Sequence, residues 1–341
     1  MPPTAPKSPT LVFVPGSWHK PICYSKIVSI LQDQHALRCV TISLPSTSGI
    51  PSATFKEDVD TARHVIAAEI SQQRDVVVVA HSYGGMVGNS AIKGFARLQS
   101  DGKSPFQQST ASDIAVSESD GHVIGLILIA SGFTLTGLSF MDPFFGHPPP
   151  AWRINTETGF ADIVVPPGEL FYHDLPKDEQ DYWVSQLTPQ SLKSLFEGGE
   201  HSYAGWQDVP TWYIGTIEDR GLPVVVQRMQ VGMARGMGGL IEHRELQTSH
   251  SPFLSQPQVV VDVIQEAIER FASVISRKES TSYHSKRFGV DTKQIIVPSV
   301  RIVRPYTWFK FGIPLAFGRA LGWCIVIWGW GRRNLATRSQ N

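Results

Sequence analysis

The 341-residue chain places one serine where nucleophilic chemistry can use it. Ser82 lies in "AHSYGG", directly after "DVVVV". A serine hydroxyl is a weak nucleophile until a neighbouring base takes its proton. That base in turn needs a carboxylate to fix its tautomer. The order Ala80-His81-Ser82-Tyr83-Gly84 is a G-x-S-x-G turn with alanine in the first glycine position. In such a turn a strand passes into a helix so sharply that the serine is strained and its hydroxyl exposed. The residues two before and two after it approach each other and must be small, and alanine is the mildest departure from glycine. The start of the following helix turns partial positive charge toward the reacting centre. The backbone N–H of Tyr83, next after the nucleophile, is placed to donate to an oxyanion.

A base and an acid are expected at later strand ends, in the order serine, acid, histidine. The strand-like "PTWYIGT" is followed by Ile217-Glu218-Asp219-Arg220, and "LIEHREL" by "QTSHSPFLSQP" with His250. The chain holds 11 histidines, so position rather than residue type singles out His250. It sits in a turn between the last strand and the last helix of the body. Glu218 and Asp219 are adjacent, and spacing alone leaves both as candidates.

These residues need a scaffold that presents strand ends together. "TLVFVPG", "LRCVTISLP", "DVVVVA", "HVIGLILIAS", "PTWYIGT" and "LIEHREL" read as strands. "YSKIVSILQDQ", "FKEDVDTARHVIAAEI", the stretch after Ser82 and "SQPQVVVDVIQEAIERFASVI" read as helices. The run of valines before Ser82 has the pattern of a strand buried on both faces. Such alternation predicts an α/β fold, a mostly parallel sheet with helices on both faces.

Three segments interrupt the alternation. Residues 99–121 are polar and Ser-rich without periodicity, and read as a mobile surface loop. Residues 134–205 are too long for a loop and read as a helical cap inserted over the sheet end. The cap is aromatic, with Trp152, Phe171, Tyr172 and Trp183 among others. Most of these are expected in its own core, and some at a pocket. "GMARGMGG" lacks the strand-loop-helix setting of a phosphate site and reads as a loop before the last strand. After a linker over 276–305 comes a tail, 306–341, that is apolar, Trp-rich and basic.

At this point the chain resembles the α/β-hydrolase superfamily, in the branch of small esterases that includes plant methyl esterases and hydroxynitrile lyases. The matching pieces are "FVPGSWH", "VVVVAHSYGGM", "YIGTIEDRGLPVVVQRMQ" and "SHSPFLSQP", spread over about residues 11–275. The resemblance implies an α/β-hydrolase domain over 9–275 and does not reach the tail. It implies a triad of Ser82, Asp219 and His250, with Asp219 rather than Glu218 as the acid. It implies an oxyanion hole from the backbone N–H groups of Ser17 and Tyr83. Where the family usually has His-Gly this chain has Pro15-Gly16, which keeps the glycine and alters the pocket beside it. Trp18, His19, Phe133 and Trp152 are the candidates for substrate contact, with ordinary packing as the alternative for Trp18.

The expected function is serine hydrolysis of a small or medium ester, lactone or thioester through an acyl-enzyme, with no cofactor and no metal. One competing reading is non-hydrolytic lyase or cyclase chemistry on the same scaffold. The cyanogenic lyases carry lysine after the catalytic histidine, whereas this chain has Ser251, which disfavours that reaction. The long insertions also resemble fungal hydrolases of natural-product pathways. The other competing reading is a ligand-binding homologue without turnover.

Composition sets the remaining bounds. Formal net charge is zero and 42% of residues are apolar, which fits a globular domain and excludes a general nucleic-acid binder. Three cysteines, Cys23, Cys39 and Cys324, have neither disulfide nor metal spacing. "MPPTAPKSPT" has no apolar leader core, so a reducing, cytoplasmic setting is expected. The tail lacks acidic residues after Asp291. Its uninterrupted apolar part, residues 320–331, is shorter than the ~20 residues of a bilayer span. Attachment to a membrane surface, or packing on the body, are its two expected roles.

Overall fold

In the computed structural model, residues 8–97, 121–275, 294–300 and 304–338 are described. The expected loop over 99–121 and much of the expected linker lie outside these residues.

Among the described residues there are ten strands: β1 (Thr10–Val14), β2 (Cys39–Thr41), β3 (Val76–His81), β4 (Val123–Ile129), β5 (Trp152–Asn155), β6 (Phe160–Ile163), β7 (Gln190–Ser191), β8 (Thr211–Thr216), β9 (Ile241–Leu246) and β10 (Ile295–Ile296). The helices are α1 (Ser25–His35), α2 (Phe55–Ile70), α3 (Gly84–Ala91), α4 (Pro167–Phe171), α5 (Lys177–Ser185), α6 (Leu192–Phe196), α7 (Val224–Gly236), α8 (Pro252–Ser255), α9 (Pro257–Ile275), α10 (Pro305–Thr307) and α11 (Ile313–Arg338).

Seven strands form the main sheet in the order β10-β9-β8-β4-β3-β1-β2. All neighbours are parallel except β10, which runs antiparallel to β9 at the edge. Every residue of β1, β3, β4 and β8 is buried, as strands covered on both faces must be.

Alternation along the strands divides the apolar side chains between two cores. Val12, Val14, Val76 and Val78 face α2, α3 and α7, among Phe55, Val59, Ile66, Val87 and Val231. Leu11, Phe13, Val77 and Val79 face α1 and α9, among Ile27, Leu31, Val260, Ile264 and Phe271. The entry to α2 is fixed by a capping box, in which Thr54 and Glu57 each bond the other's backbone N–H.

The insertion between β4 and β8 is where the sequence places it. It holds the short helices α4, α5 and α6 and also a three-stranded antiparallel sheet, β5-β6-β7. The sequence reading anticipated only helices, because two- to four-residue strands are too short to show a period.

Two further differences concern the C-terminal part. Gly232 to Gly236 of "GMARGMGG" are the last turns of α7 rather than a loop. Within the expected linker, Ile295 and Ile296 pair with Leu246 and Glu245. The tail is helical throughout residues 305–338, through a π-helical turn at Trp308–Gly312. Pro314 lies inside this continuous helix and offers no N–H to the Lys310 carbonyl four residues back, which accepts from Arg228 instead. The segment Pro305–Ile327 is 23 residues long and apolar enough to cross a membrane by length and composition. The shorter apolar run seen in the sequence arose from treating Pro314 and Arg319 as interruptions.

Candidate active site

β3 ends at His81, and Ser82 follows with φ 51°. This is left-handed backbone that a non-glycine residue rarely adopts. The turn is held by close approach. A Cβ on Gly84 would lie 2.3 Å from the carbonyl oxygen of Pro15. A Cβ on Gly16 would lie 2.9 Å from the Ser82 Cβ. The end of β1 is thus pressed against the start of α3. Ala80 fits where the motif has glycine because Gly88 faces it: a Cβ there would come 3.0 Å from that of Ala80. The Ser131 hydroxyl, just past β4, donates to the Ser82 carbonyl at 2.7 Å.

His250 lies on the loop after β9 and is buried. Its Nδ1 is 2.8 Å from Asp219 Oδ2. Asp219 Oδ2 also accepts from the Thr216 hydroxyl at 2.7 Å and Gln227 Nε2 at 3.2 Å. Its Oδ1 accepts the backbone N–H groups of Gly221 and Leu222, both at 2.7 Å. Glu218 points elsewhere, accepting from Gln247 at 2.5 Å on the surface. With Nδ1–H given to the carboxylate, Nε2 of His250 carries the free lone pair of the neutral ring. The His250 carbonyl accepts from His81 Nε2 at 3.0 Å, and the two rings lie 4.6 Å apart. The His250 loop is also tied to the insertion: Asp174 accepts from Ser249 N, and the Ser249 hydroxyl donates to the Phe171 carbonyl, both at 2.9 Å.

The backbone N–H groups of Ser17 and Tyr83 donate to no backbone carbonyl among the described residues. The Tyr83 side chain points away from this region. It is fully buried and donates to Asp58 Oδ2 at 2.7 Å. Burial pushes the Asp58 carboxyl up to about 6, against the bonds it accepts.

The four aromatic and histidine candidates occupy packed positions. Trp18, with φ 61°, donates its indole N–H to the Ala161 carbonyl of β6 at 2.9 Å. Its ring meets Trp152 and Phe171, so it clamps the insertion to the body. Trp152 is buried between Trp18 and Phe196. Phe133 is buried, stacked on Tyr213 and edge-on to Trp206. His19 uses both ring nitrogens within the protein: Nδ1 meets the Ser17 carbonyl at 2.7 Å and Nε2 the Tyr172 hydroxyl at 2.8 Å. Burial holds its imidazole down at about 4, so it is neutral near pH 7. His19 therefore braces the carbonyl of Ser17 and has no ring nitrogen left for a ligand.

Ser131, Thr216, Gln227, His81 and Tyr172 were not anticipated. The first two sit immediately past or at the end of a buried strand, and that placement was their one available signal. Among the described residues no group of three or more His, Cys, Asp or Glu side chains could hold a metal ion.

Comparison with known proteins agrees with this layout. Residues 11–263 match the family described as "Alpha/beta hydrolase family". The chain is 29% identical over 267 residues to "Alpha/beta hydrolase nvfD" of Aspergillus novofumigatus, covering 76% of this chain and 96% of that protein. It is 26% identical to "Probable hydrolase R7" of a Phoma species, covering 76% of this chain and 97% of that one. Among solved structures, a pyrethroid hydrolase from Sphingobium faniae superposes with TM-score 0.56 at 16% identity, over 78% of this chain and all of that one. Tomato methylketone synthase I superposes with TM-score 0.57 at 13% identity, over 78% of this chain and 99% of that one.

Proposed function

The chain belongs to the alpha/beta hydrolase family, and within it we propose that it is a serine hydrolase of small or medium carboxylic esters, acting through an acyl-enzyme on Ser82. The observation that carries this reading is the 2.8 Å contact between His250 Nδ1 and Asp219, on loops that converge near a strained serine. His250 Nε2 takes the Ser82 proton as the hydroxyl oxygen attacks the ester carbonyl. The tetrahedral oxyanion receives the N–H groups of Ser17 and Tyr83. His250 then protonates the departing alcohol oxygen, leaving the acyl group on Ser82. A water attacks the acyl carbonyl and gives its proton to His250. Collapse releases the acid and returns the proton to Ser82.

Each part of this mechanism has structural support in the chain. Five hydrogen bonds hold the Asp219 carboxylate in one orientation. The close approach at Gly16 and Gly84, and the lack of a backbone acceptor for the Ser17 and Tyr83 N–H groups among the described residues, support the oxyanion hole. The insertion is clamped to the body by Trp18 and tied to the His250 loop by Asp174.

The test is turnover of an ester and lactone panel in 18O-labelled water. The expected result is one label in the acid product and loss of product formation with Ser82→Ala. Product without label would sink hydrolysis, and full turnover by Ser82→Ala would sink the nucleophile.

A further inference from the structure

The reading of the active site leaves the C-terminal helix unused, and the family match ends well before it, at residue 263. One face of this helix is docked on α7 through glycines. Gly232 and Gly236 of α7 meet the carbonyls of Leu315 and Arg319, and Gly318 and Gly322 of α11 meet those of Met229 and Met233. A Cβ at any of the four would lie within 2.5 Å of a backbone oxygen. Two small-x-x-x-small pairs thus let the backbones touch. Arg228 pins the start of the helix. It is buried in a bidentate pair with Glu245, donates to the Lys310 carbonyl at 3.0 Å, and has Phe311 under its guanidinium.

The opposite face is apolar and uncovered. Tyr306, Phe309, Ile313, Phe317 and Ile327 are each more than half exposed. Their spacing of three, four, four and ten residues keeps them on one stripe of the helix. Only 28% of the apolar window is buried, which is unlike a core helix. A helix held along one side by a soluble body cannot thread a bilayer, so spanning is excluded while the docking holds. Charge identifies what covers the stripe. From Lys293 onward the sequence holds Lys293, Arg301, Arg304, Lys310, Arg319, Arg332, Arg333 and Arg338 and no acidic residue. The same helix also exposes Trp308 and Trp323, 47% and 55% accessible, and tryptophan is enriched at headgroup depth.

We propose that the continuous C-terminal helix, α10 through the π-helical turn to α11, is a monotopic membrane-interface helix: docked on α7 by the glycine face of α11, it lays the Tyr306–Phe309–Ile313–Phe317–Ile327 face into the headgroup region of an anionic bilayer. The docking gives the attached enzyme a fixed orientation, because the same helix α7 that receives α11 supplies Gln227 to Asp219 and Gln230 to the Phe133 N–H. This proposal does not depend on the nature of the reaction.

The test is co-sedimentation of the full chain with phosphatidylcholine vesicles, with and without phosphatidylserine, over a salt series. Binding is expected to need phosphatidylserine and to fall with salt. The triple variant Phe309→Glu, Phe317→Glu, Ile327→Glu is expected to lower it about tenfold or more. Its circular dichroism should be unchanged, since all three side chains face outward. A second variant, Arg304→Gln with Arg319→Gln, keeps the stripe and should weaken binding to the anionic vesicles. Absence of vesicle binding at low salt would overturn the proposal, as would binding indifferent to both variants. Concentration-dependent dimerisation that the triple variant abolishes, without vesicle binding, would instead assign the stripe to a second copy of the chain.

Discussion

Asp219 takes part in five hydrogen bonds, while its neighbour Glu218 lies at the surface. Spacing could not separate the two, because adjacent residues on a loop have no period. Their environments separate them. Asp219→Asn is expected to reduce kcat by about 10⁴-fold through the wrong imidazole tautomer, whereas Glu218→Gln should leave it unchanged, both read from steady-state kinetics on one ester. Two other buried groups oppose each other in acid. His19, held neutral with its imidazole at about 4, stabilises the fold above its ordinary value of 6.5, and that contribution is lost as pH falls toward 4. Asp58, raised from 3.8 to about 6, acts the other way: its burial is least costly when protonated, so stability is regained as pH falls through about 6. Asp58→Asn removes the opposing contribution of Asp58 and leaves that of His19 in place. Its urea midpoint should therefore fall more steeply from pH 6.5 to 4 than that of the parent, and an equal or shallower slope would contradict the assignment.

At the scale of elements, the strands and long helices were readable because each has a period and a length. The valine run before Ser82, the alternation of two cores along β1 and β3, and α2 with its capping box are local signals that agree with the fold. The strands of the insertion were not readable, since β7 has only Gln190 and Ser191. "GMARGMGG" misled for a different reason. Glycine lowers helix propensity locally, but Gly232 and Gly236 are there to admit α11, a contact with residues far along the chain. Tertiary contact overrides propensity at such positions. The docking is expected to fail in Gly318→Leu, whose side chain would have to occupy the space of the Met229 carbonyl, 1.8 Å from the new Cβ. Limited proteolysis should then cleave the tail faster than in the parent, with the main sheet intact. Unchanged cleavage would mean that α11 is not held by this face.

At the scale of the whole molecule, the chain is an alpha/beta hydrolase enzyme body with an added basic helix at its C-terminus. The fold and the order of strand ends were legible from the sequence, and so was the meeting of His250 with an acid on the preceding loop. The packing partners of Trp18, His19, Phe133 and Trp152 were not, because a single sequence gives side-chain type without direction. The central claim remains that Ser82 is the nucleophile, and a fluorophosphonate probe tests it most directly. Intact-mass analysis is expected to show one phosphonyl adduct per chain, mapped by peptide sequencing to Ser82 and absent from both Ser82→Ala and His250→Ala. An adduct on another residue, or none on a folded protein that turns over esters, would contradict the account.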